Sequence, residues 1–399
     1  MIHRLWVANF HAFKERQELD FSIARNVGDP DNRFASPLDD RDLRLPRVVT
    51  VLGANGAGKS ALLRVITFLR WFLVRSYDPE SPEDDPLPYV PFADTEGAST
   101  PTVLGIDFTG RLTPEVPPCP CRYEVWLAPE GDNSSRVVRY EALHHAPEGR
   151  FRRLFERHGR TVTPGREMGV TPHDRRLEAI RPKAGTVATL SALADPVARA
   201  MAEQSEHTMQ NTFLERPDQM DEEAAKLYQE FPGVLEKFNE SMGLVDGTLS
   251  RVTVSDGGGG PETFFHHQGL EVPVALVHES RGTRNFFRLF PFLFVVRRTG
   301  GVAVFDDLDG EVDPTILPRL LDWLRDPRTN PRDGQLFLAA HTPALLKDLV
   351  KEEVVVVTKD AHGRASATPL KDVRGIRRDR SLHAQYLRGV IPGLEPPAD

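Results

Sequence analysis

The sequence predicts an α/β fold with a mixed sheet, and three observations carry that prediction. An apolar run, RVVTVL at 47–52, leads into GANGAGKS at 53–60 and then into the apolar-periodic ALLRVITFLRWFLV at 61–74. Strand, glycine loop and helix in that order form a phosphate cradle. The last third alternates strand and helix patterns, which implies parallel strands covered by helices. Between these parts, short period-two stretches predict an antiparallel β lobe, and a helical-period stretch predicts an inserted helical lid.

Taken in order, Leu5, Val7 and Phe10, then Leu19 and Phe21, alternate with polar residues and predict two antiparallel strands. A loop rich in Asp, Pro and Asn follows at 26–42. After the glycine loop and its helix, 77–100 turns to Pro, Asp, Glu and Ser, a surface loop. Residues 102–108, 122–127 and 137–143 read as strands of the antiparallel lobe. Helical spacing spans 197–242 through Met201, Leu214, Leu227, Phe231 and Phe238, the expected lid. SDGGGGPE then forms a loop before a strand at 263–266. The closing part reads as strand 272–277, a helix from Thr283, strand 302–305, a helix after Pro314, strand 335–340, a helix from Pro343 and strand 354–358.

At 399 residues the chain exceeds what one core usually serves, so a main unit plus an insertion is expected. Hydrophobic residues at 40% and charged residues at 27% fit a globular chain. A formal charge of -8, from 50 basic and 58 acidic side chains, argues against an obligate nucleic-acid coat. The arginine-rich stretches 150–160 and 374–380 read as solvated surface. Cys119 and Cys121 alone are too few for a cysteine zinc site and fit a reducing cytoplasm. The most apolar run, 286–296, contains Arg288 and Pro291, and nothing reaches the ~20 apolar residues of a spanning helix.

Gly53, Gly58, Lys59 and Ser60 satisfy G-x-x-x-x-G-K-[ST]. In that pattern the backbone amides of Asn55, Gly56, Ala57, Gly58, Lys59, Ser60 and Ala61 face phosphate oxygens, Lys59 reaches the β and γ groups, and Ser60 ligates Mg²⁺. ATP and Mg²⁺ are therefore the expected cofactors. VAVFDD supplies the carboxylate such a site needs: Asp306 as the magnesium ligand, and Asp307 as the base or water-orienting acid. QLFLAAH ends a further strand at His341, where an imidazole could meet a γ-phosphate. In ESRGT, Ser280 and the Gly282 amide stand at a helix mouth, equally suited to a phosphate or to capping their own helix. The two residues of each pair, His144–His145 and His266–His267, point to opposite strand faces and read as solvated or structural.

The order of these pieces resembles the AAA15 or overcoming-lysogenization-defect-like P-loop ATPases, relatives of the ABC, Rad50 and RecF heads. The resemblance lies in WVANFHAF, GANGAGKS, ESRGT, VFDDLDGEVDP, LAAHTPALL and AQYLRGVIPGLEP, with YEVWL, RYEAL and LFER in the middle. It implies an ABC-type P-loop ATPase head in three parts: 1–170 with the phosphate loop and β lobe, 171–260 as the helical lid, and 261–399 with the signature, the Asp pair and the switch histidine. It also implies a homodimer or higher oligomer that sandwiches two ATP molecules, Ser280 and Gly282 of one subunit touching the γ-phosphate held by Lys59 of the other, with Asp309 at the seam.

Compact relatives without a Toprim nuclease domain imply an ATP-driven switch that regulates a separately encoded effector in antiphage defence. The alternatives are a DNA-binding repair head, which leaves a nucleic-acid partner open, and a nucleotide-binding scaffold with little turnover. A cytoplasmic protein without membrane attachment is expected. Two positions depart from the family: Asp306-Asp307 stands where Asp-Glu is usual, and Asp313-Pro314 where His-Pro is frequent. The shorter Asp307 predicts slow hydrolysis.

Overall fold

The computed structural model describes residues 1–38, 43–80, 86–131, 135–210, 217–244, 247–258, 260–308 and 316–394. Leu214, the acidic run 83–85, Asp309 and the Asp313-Pro314 step lie outside the described residues.

Two sheets sandwich one helix. The six-stranded sheet has the order Thr208–Gln210, Val302–Phe305, Gln335–Ala339, Val48–Leu52, Val354–Lys359, Ala365–Pro369. The first five run parallel and the last is antiparallel, so the sheet is mixed. Its strands are apolar on both faces because both are covered, as parallel strands require. Val49, Val51, Val304, Phe337, Val355 and Val357 enter one core. Val48, Leu52, Ala303, Phe305, Leu336 and Leu338 enter the other. This is the period-two pleat read out as two cores.

The first core lies against the helix Lys59–Val74, which buries Leu62, Leu63, Val65, Ile66, Phe68, Leu69 and Phe72. On its far side stands a seven-stranded antiparallel sheet, ordered Thr161–Pro164, Arg152–His158, Arg136–His145, Cys119–Pro129, Thr102–Gly110, Ile2–Ala8, Gln17–Asp20. The expected lobe is present and larger than its sequence signal. The hairpin Arg152–His158/Thr161–Pro164, turning at Gly159 with φ 58, falls in a stretch read as solvated surface. Arg157 corrects that reading. It is fully buried, with Nη1 donating to Glu141 at 3.2 Å and to the Ala184 carbonyl at 2.6 Å. Glu141 also accepts from the Tyr123 hydroxyl at 2.8 Å and the Thr186 hydroxyl at 2.8 Å. A buried ion pair persists only where its remaining valences are met in this way.

The second core gathers helices Pro217–Glu230, Pro232–Ser241 and Arg281–Thr299 against a three-stranded antiparallel sheet, Leu249–Gly257, Gly260–His267 and Val274–Ala275. Tyr228, Phe238, Phe265, Phe286, Phe287 and Phe290 pack there edge to face and tilted. Pro291 sits inside the helix Arg281–Thr299 and has no N–H for the carbonyl four residues back. That carbonyl belongs to Phe287, and the buried Tyr228 hydroxyl donates to it at 3.0 Å.

Three elements differ from their sequence reading. The strand expected at 272–277 is only Val274–Ala275, pairing with Phe264 and Phe265 outside the parallel sheet. Val272 and Val277 are 74% and 64% exposed, so their apolarity does not report a core. The segment from Pro343 is a 3₁₀ turn, Pro343–Lys347, rather than an α-helix. Thr208–Gln210, inside the helical stretch, is an edge strand parallel to Val302–Phe305. Three residues are too few to show a period.

Candidate functional site

Three neighbouring parallel strands deliver the site to one edge of the mixed sheet. Val48–Leu52 runs into Gly53, Val302–Phe305 into Asp306 and Asp307, and Gln335–Ala339 reaches His341 two residues later. Because Gln335–Ala339 lies between the other two, His341 stands between the loop and the aspartates. The carboxyl ends of open parallel strands are where α/β folds bind ligands.

The loop backbone is shaped by glycine. A Cβ on Gly53 would stand 2.2 Å from the Val357 carbonyl oxygen, in the adjacent strand. Gly56 and Gly58 hold φ of 74 and 114, conformations that L side chains rarely adopt. Gly58 is the N-cap of the helix Lys59–Val74, and no side chain caps that terminus. The first-turn amides, with no N-cap side chain over them, are directed with the positive end of the helix dipole toward the loop. Such a terminus fits a phosphate.

Lys59 is buried, at 5% exposure. Its Nζ donates to the carbonyls of Gly53 at 2.9 Å and Ala54 at 3.1 Å, and lies 3.2 Å from His341 Nδ1. An ammonium has no lone pair, so Nδ1 accepts and the imidazole proton sits on Nε2. That Nε2 faces Asp307 Oδ1 at 3.5 Å. Lys59, His341 and Asp307 thus form a line from a buried cation to an exposed carboxylate. Asp307 has φ 54, the left-handed region. Aspartate enters that region more readily than most side chains.

Asp306 is half-buried at the strand end, and Ser60 is half-buried in the first turn of the helix. Both are hard oxygen donors of the type Mg²⁺ takes. Among the described residues no group of three or more His, Cys, Asp or Glu side chains could hold a metal. One carboxylate and one hydroxyl fit Mg²⁺, which usually completes its shell with water and phosphate oxygens, and do not fit a dedicated protein cage.

Ser280 and Gly282 lie elsewhere. Ser280 is exposed and caps the helix Arg281–Thr299, its Oγ accepting from the Thr283 amide at 3.2 Å and donating to Thr283 Oγ1 at 2.8 Å. Nothing comes within 4 Å of the Cβ position of Gly282. Among the described residues no hydrogen bond joins either to the 53–60 loop. Glu279 is held by His267 Nε2 at 2.6 Å, which gives the second histidine of that pair a structural partner. His145 Nε2 lies 2.7 Å from Glu167 Oε2, within ion-pair distance but outside hydrogen-bond geometry.

Several contributors escaped the sequence reading. Asn9, at φ 51, buries an amide that donates to the carbonyls of Gly97 and Thr100 and accepts from the Phe92 amide, tying the 86–101 segment to the first strand. Beside it Phe10 stacks on Tyr89. These contacts are the physical content of Asn9 and Phe10 within WVANFHAF. His11, at φ 49, is held neutral by burial, its pKa pushed down to about 4. Ala12 next to it would lie 3.5 Å from a Cβ on Gly58. No sequence pattern marks Val357, whose carbonyl makes Gly53 obligatory.

Residues 48–347, from the strand before the loop to beyond His341, match the family described as "AAA domain, putative AbiEii toxin, Type IV TA system". The chain belongs to this AAA-domain family. Its phosphate loop, Asp306–Asp307 and His341 all fall within the matched segment. No curated protein matches the chain. Among solved structures, one titled "SMC head domain from Thermotoga maritima" is similar at 13% identity, covering 92% of this chain and 98% of that one, with a TM-score of 0.40. Another, "Crystal structure of the SmcHead bound to the C-winged helix domain of ScpA", is similar at 13% identity, covering 92% and 96%, with a TM-score of 0.43. No helix among the described residues is long and apolar enough to cross a membrane.

Proposed function

We propose that this AAA-domain protein binds and hydrolyses ATP with Mg²⁺ and uses the cycle as a dimeric switch acting on a separately encoded effector in antiphage defence. The observation that carries the ATP reading is the line Lys59–His341–Asp307 beside a helix N-terminus whose cap residue is glycine. Loop amides and Lys59 bind the phosphates. Ser60 and Asp306 would hold Mg²⁺, which supplies charge neutralisation at the phosphate oxygens. Asp307 orients the attacking water, and His341, kept as the Nε2–H tautomer by Lys59, donates toward the charge that develops at the γ-phosphate.

Support for the dimeric reading comes from the helix that begins at Ser280. Its cap and Gly282 are open to a neighbour, and the chain leading to it exposes Leu270, Val272 and Val277, apolar surface of the kind partners cover. In the same helix Arg284 and Arg288 both clamp Asp221 of the lid helix Pro217–Glu230. A shift at Ser280 on engaging ATP would reach the lid through this clamp. The toxin and TA system in the family description support a partnered defence role, and the closer likeness to AAA15 and overcoming-lysogenization-defect proteins belongs to the same proposal.

The test is steady-state ATP turnover across protein concentration. Expected are loss of turnover in Lys59→Ala, a fall of about tenfold or more in Asp307→Asn with nucleotide affinity nearly unchanged, and loss in Ser280→Arg with ATP still bound. Wild-type turnover at background with nucleotide bound would replace the enzyme by a nucleotide-dependent scaffold.

A further inference from the structure

A cavity of about 650 Å³ opens between the two sheets, remote from the phosphate loop. Its walls are the far halves of elements that serve the loop. Ile66, Leu69, Arg70 and Leu73 come from the helix that starts at Lys59, and Val302 starts the strand that ends before Asp306. Arg70 is eleven residues beyond Lys59, about 16 Å along the helix axis at 1.5 Å per residue. Ile106 and Phe108 of the antiparallel sheet complete an apolar floor.

The polar rim is cationic. Arg70, Arg111 and Arg332 line the cavity from three different elements, with His207 beside them. The Arg70 Nε is buried and has no hydrogen-bond partner among the described residues. Burial pushes the Arg70 guanidinium below its ordinary range and holds His207 toward its neutral form. The acid that lines the cavity among the described residues, Asp333, is engaged by Arg47, with Oδ1 accepting from Nε at 3.1 Å and from Nη2 at 2.5 Å, while Glu206 and Glu223 act on Arg70 only through their field and give its Nε no hydrogen bond. A buried guanidinium donor without an acceptor is costly, and arginine matches carboxylate, phosphate or sulfonate groups with paired donors. The cavity volume lies in the range of small-molecule sites, about 300–1,000 Å³.

We infer that this cavity binds a small organic anion, its charged group on Arg70, Arg111 and Arg332 and its apolar body over Ile66, Leu69 and Phe108. The site is separate from the ATP site, and stands whether or not the chain hydrolyses ATP.

The probe is 8-anilinonaphthalene-1-sulfonate, an apolar body with one fixed negative charge, titrated into the full chain with saturating ADP and Mg²⁺. Its uncharged analogue, N-phenyl-1-naphthylamine, is titrated in parallel. Expected is one fluorescent site per chain. Affinity should fall about tenfold or more in Arg70→Met and in the double variant Arg111→Ala/Arg332→Ala, largely return in Arg70→Lys, and be about tenfold weaker for the neutral dye. The two exposed arginines keep the test valid if Arg70→Met unfolds, which circular dichroism reports. Sulfonate binding that survives both charge removals, or neutral dye bound as tightly as the anion, overturns the inference.

Discussion

The two glycines at 53 and 56 occupy one loop yet should respond very differently to an added methyl group. At Gly53 the Cβ would stand 2.2 Å from the Val357 carbonyl oxygen, a backbone atom of the neighbouring strand Val354–Lys359 that cannot rotate aside. Relief needs a movement of about 1 Å between loop and strand, and a misplacement of that size costs on the order of a hundredfold at a site built on geometry. At Gly56 nothing lies within 4 Å, and the only penalty is φ 74, about 1–2 kcal/mol for an L side chain. That converts to roughly five- to thirtyfold. Titration with a fluorescent ATP analogue, with melting curves to confirm folding, should therefore rank wild type, then Gly56→Ala about five- to thirtyfold weaker, then Gly53→Ala about a hundredfold weaker or without measurable binding. Gly53→Ala binding within about threefold of wild type, or Gly56→Ala weaker than Gly53→Ala, would refute the claim that Val357 sets the shape of the phosphate loop.

Tyr228→Phe leaves the Phe287 carbonyl without its donor and should cost about 1–3 kcal/mol in urea unfolding. In a Pro291→Ala background the restored amide serves that carbonyl, so the same change should cost under about 0.5 kcal/mol, a coupling read by a double-mutant cycle. Arg157→Met strands the buried Glu141 carboxylate and should cost about 3–5 kcal/mol, whereas Arg157→Met with Glu141→Leu recovers part of that loss, again by urea unfolding. The His3 pKa is pushed by burial from its ordinary 6.5 to about 3, so the unfolded chain takes up that proton first. This contribution to stability is complete above pH 6.5 and is lost as pH falls from there toward 3. The difference in urea midpoint between pH 7.5 and pH 4.5 should shrink in His3→Gln.

How much was legible in the sequence depended on whether the physics was local. The strand, glycine loop and helix at 48–74 declare themselves because backbone amides, dipole and lysine all come from one contiguous stretch. The strand-end positions of Asp306 and His341 were legible because each follows a short, fully buried strand, Val302–Phe305 and Gln335–Ala339, apolar but for Gln335, and both faces of a parallel sheet are buried. The neighbour order that puts His341 between loop and aspartates is a tertiary fact with no local trace. Of the arginines at 150–160, Arg150, Arg152, Arg153 and Arg160 are exposed as read, and Arg157 alone departs, for a related reason. Composition cannot tell a solvated guanidinium from one like Arg157 that buries itself on Glu141 and three carbonyls. Val272 and Val277 failed in the opposite sense, apolar residues that the fold leaves on the surface.

The structure also changes what Asp307 means. From sequence it is a shortened glutamate, and the natural repair would be Asp307→Glu. But Asp307 sits at φ 54, where a short side chain that can bond its own backbone is favoured and a longer one carries more strain. Lengthening the side chain would thus alter two quantities at once, the reach toward the water and the conformation of the turn. Asparagine accepts the same backbone region and the same volume while removing only the charge opposite His341 Nε2 at 3.5 Å. If turnover depends on that charge, Asp307→Asn should lower it while melting temperature and nucleotide affinity stay put. If Asp307→Glu lowers turnover as well, the left-handed turn accounts for the aspartate at this position, and the short side chain is a requirement of the fold.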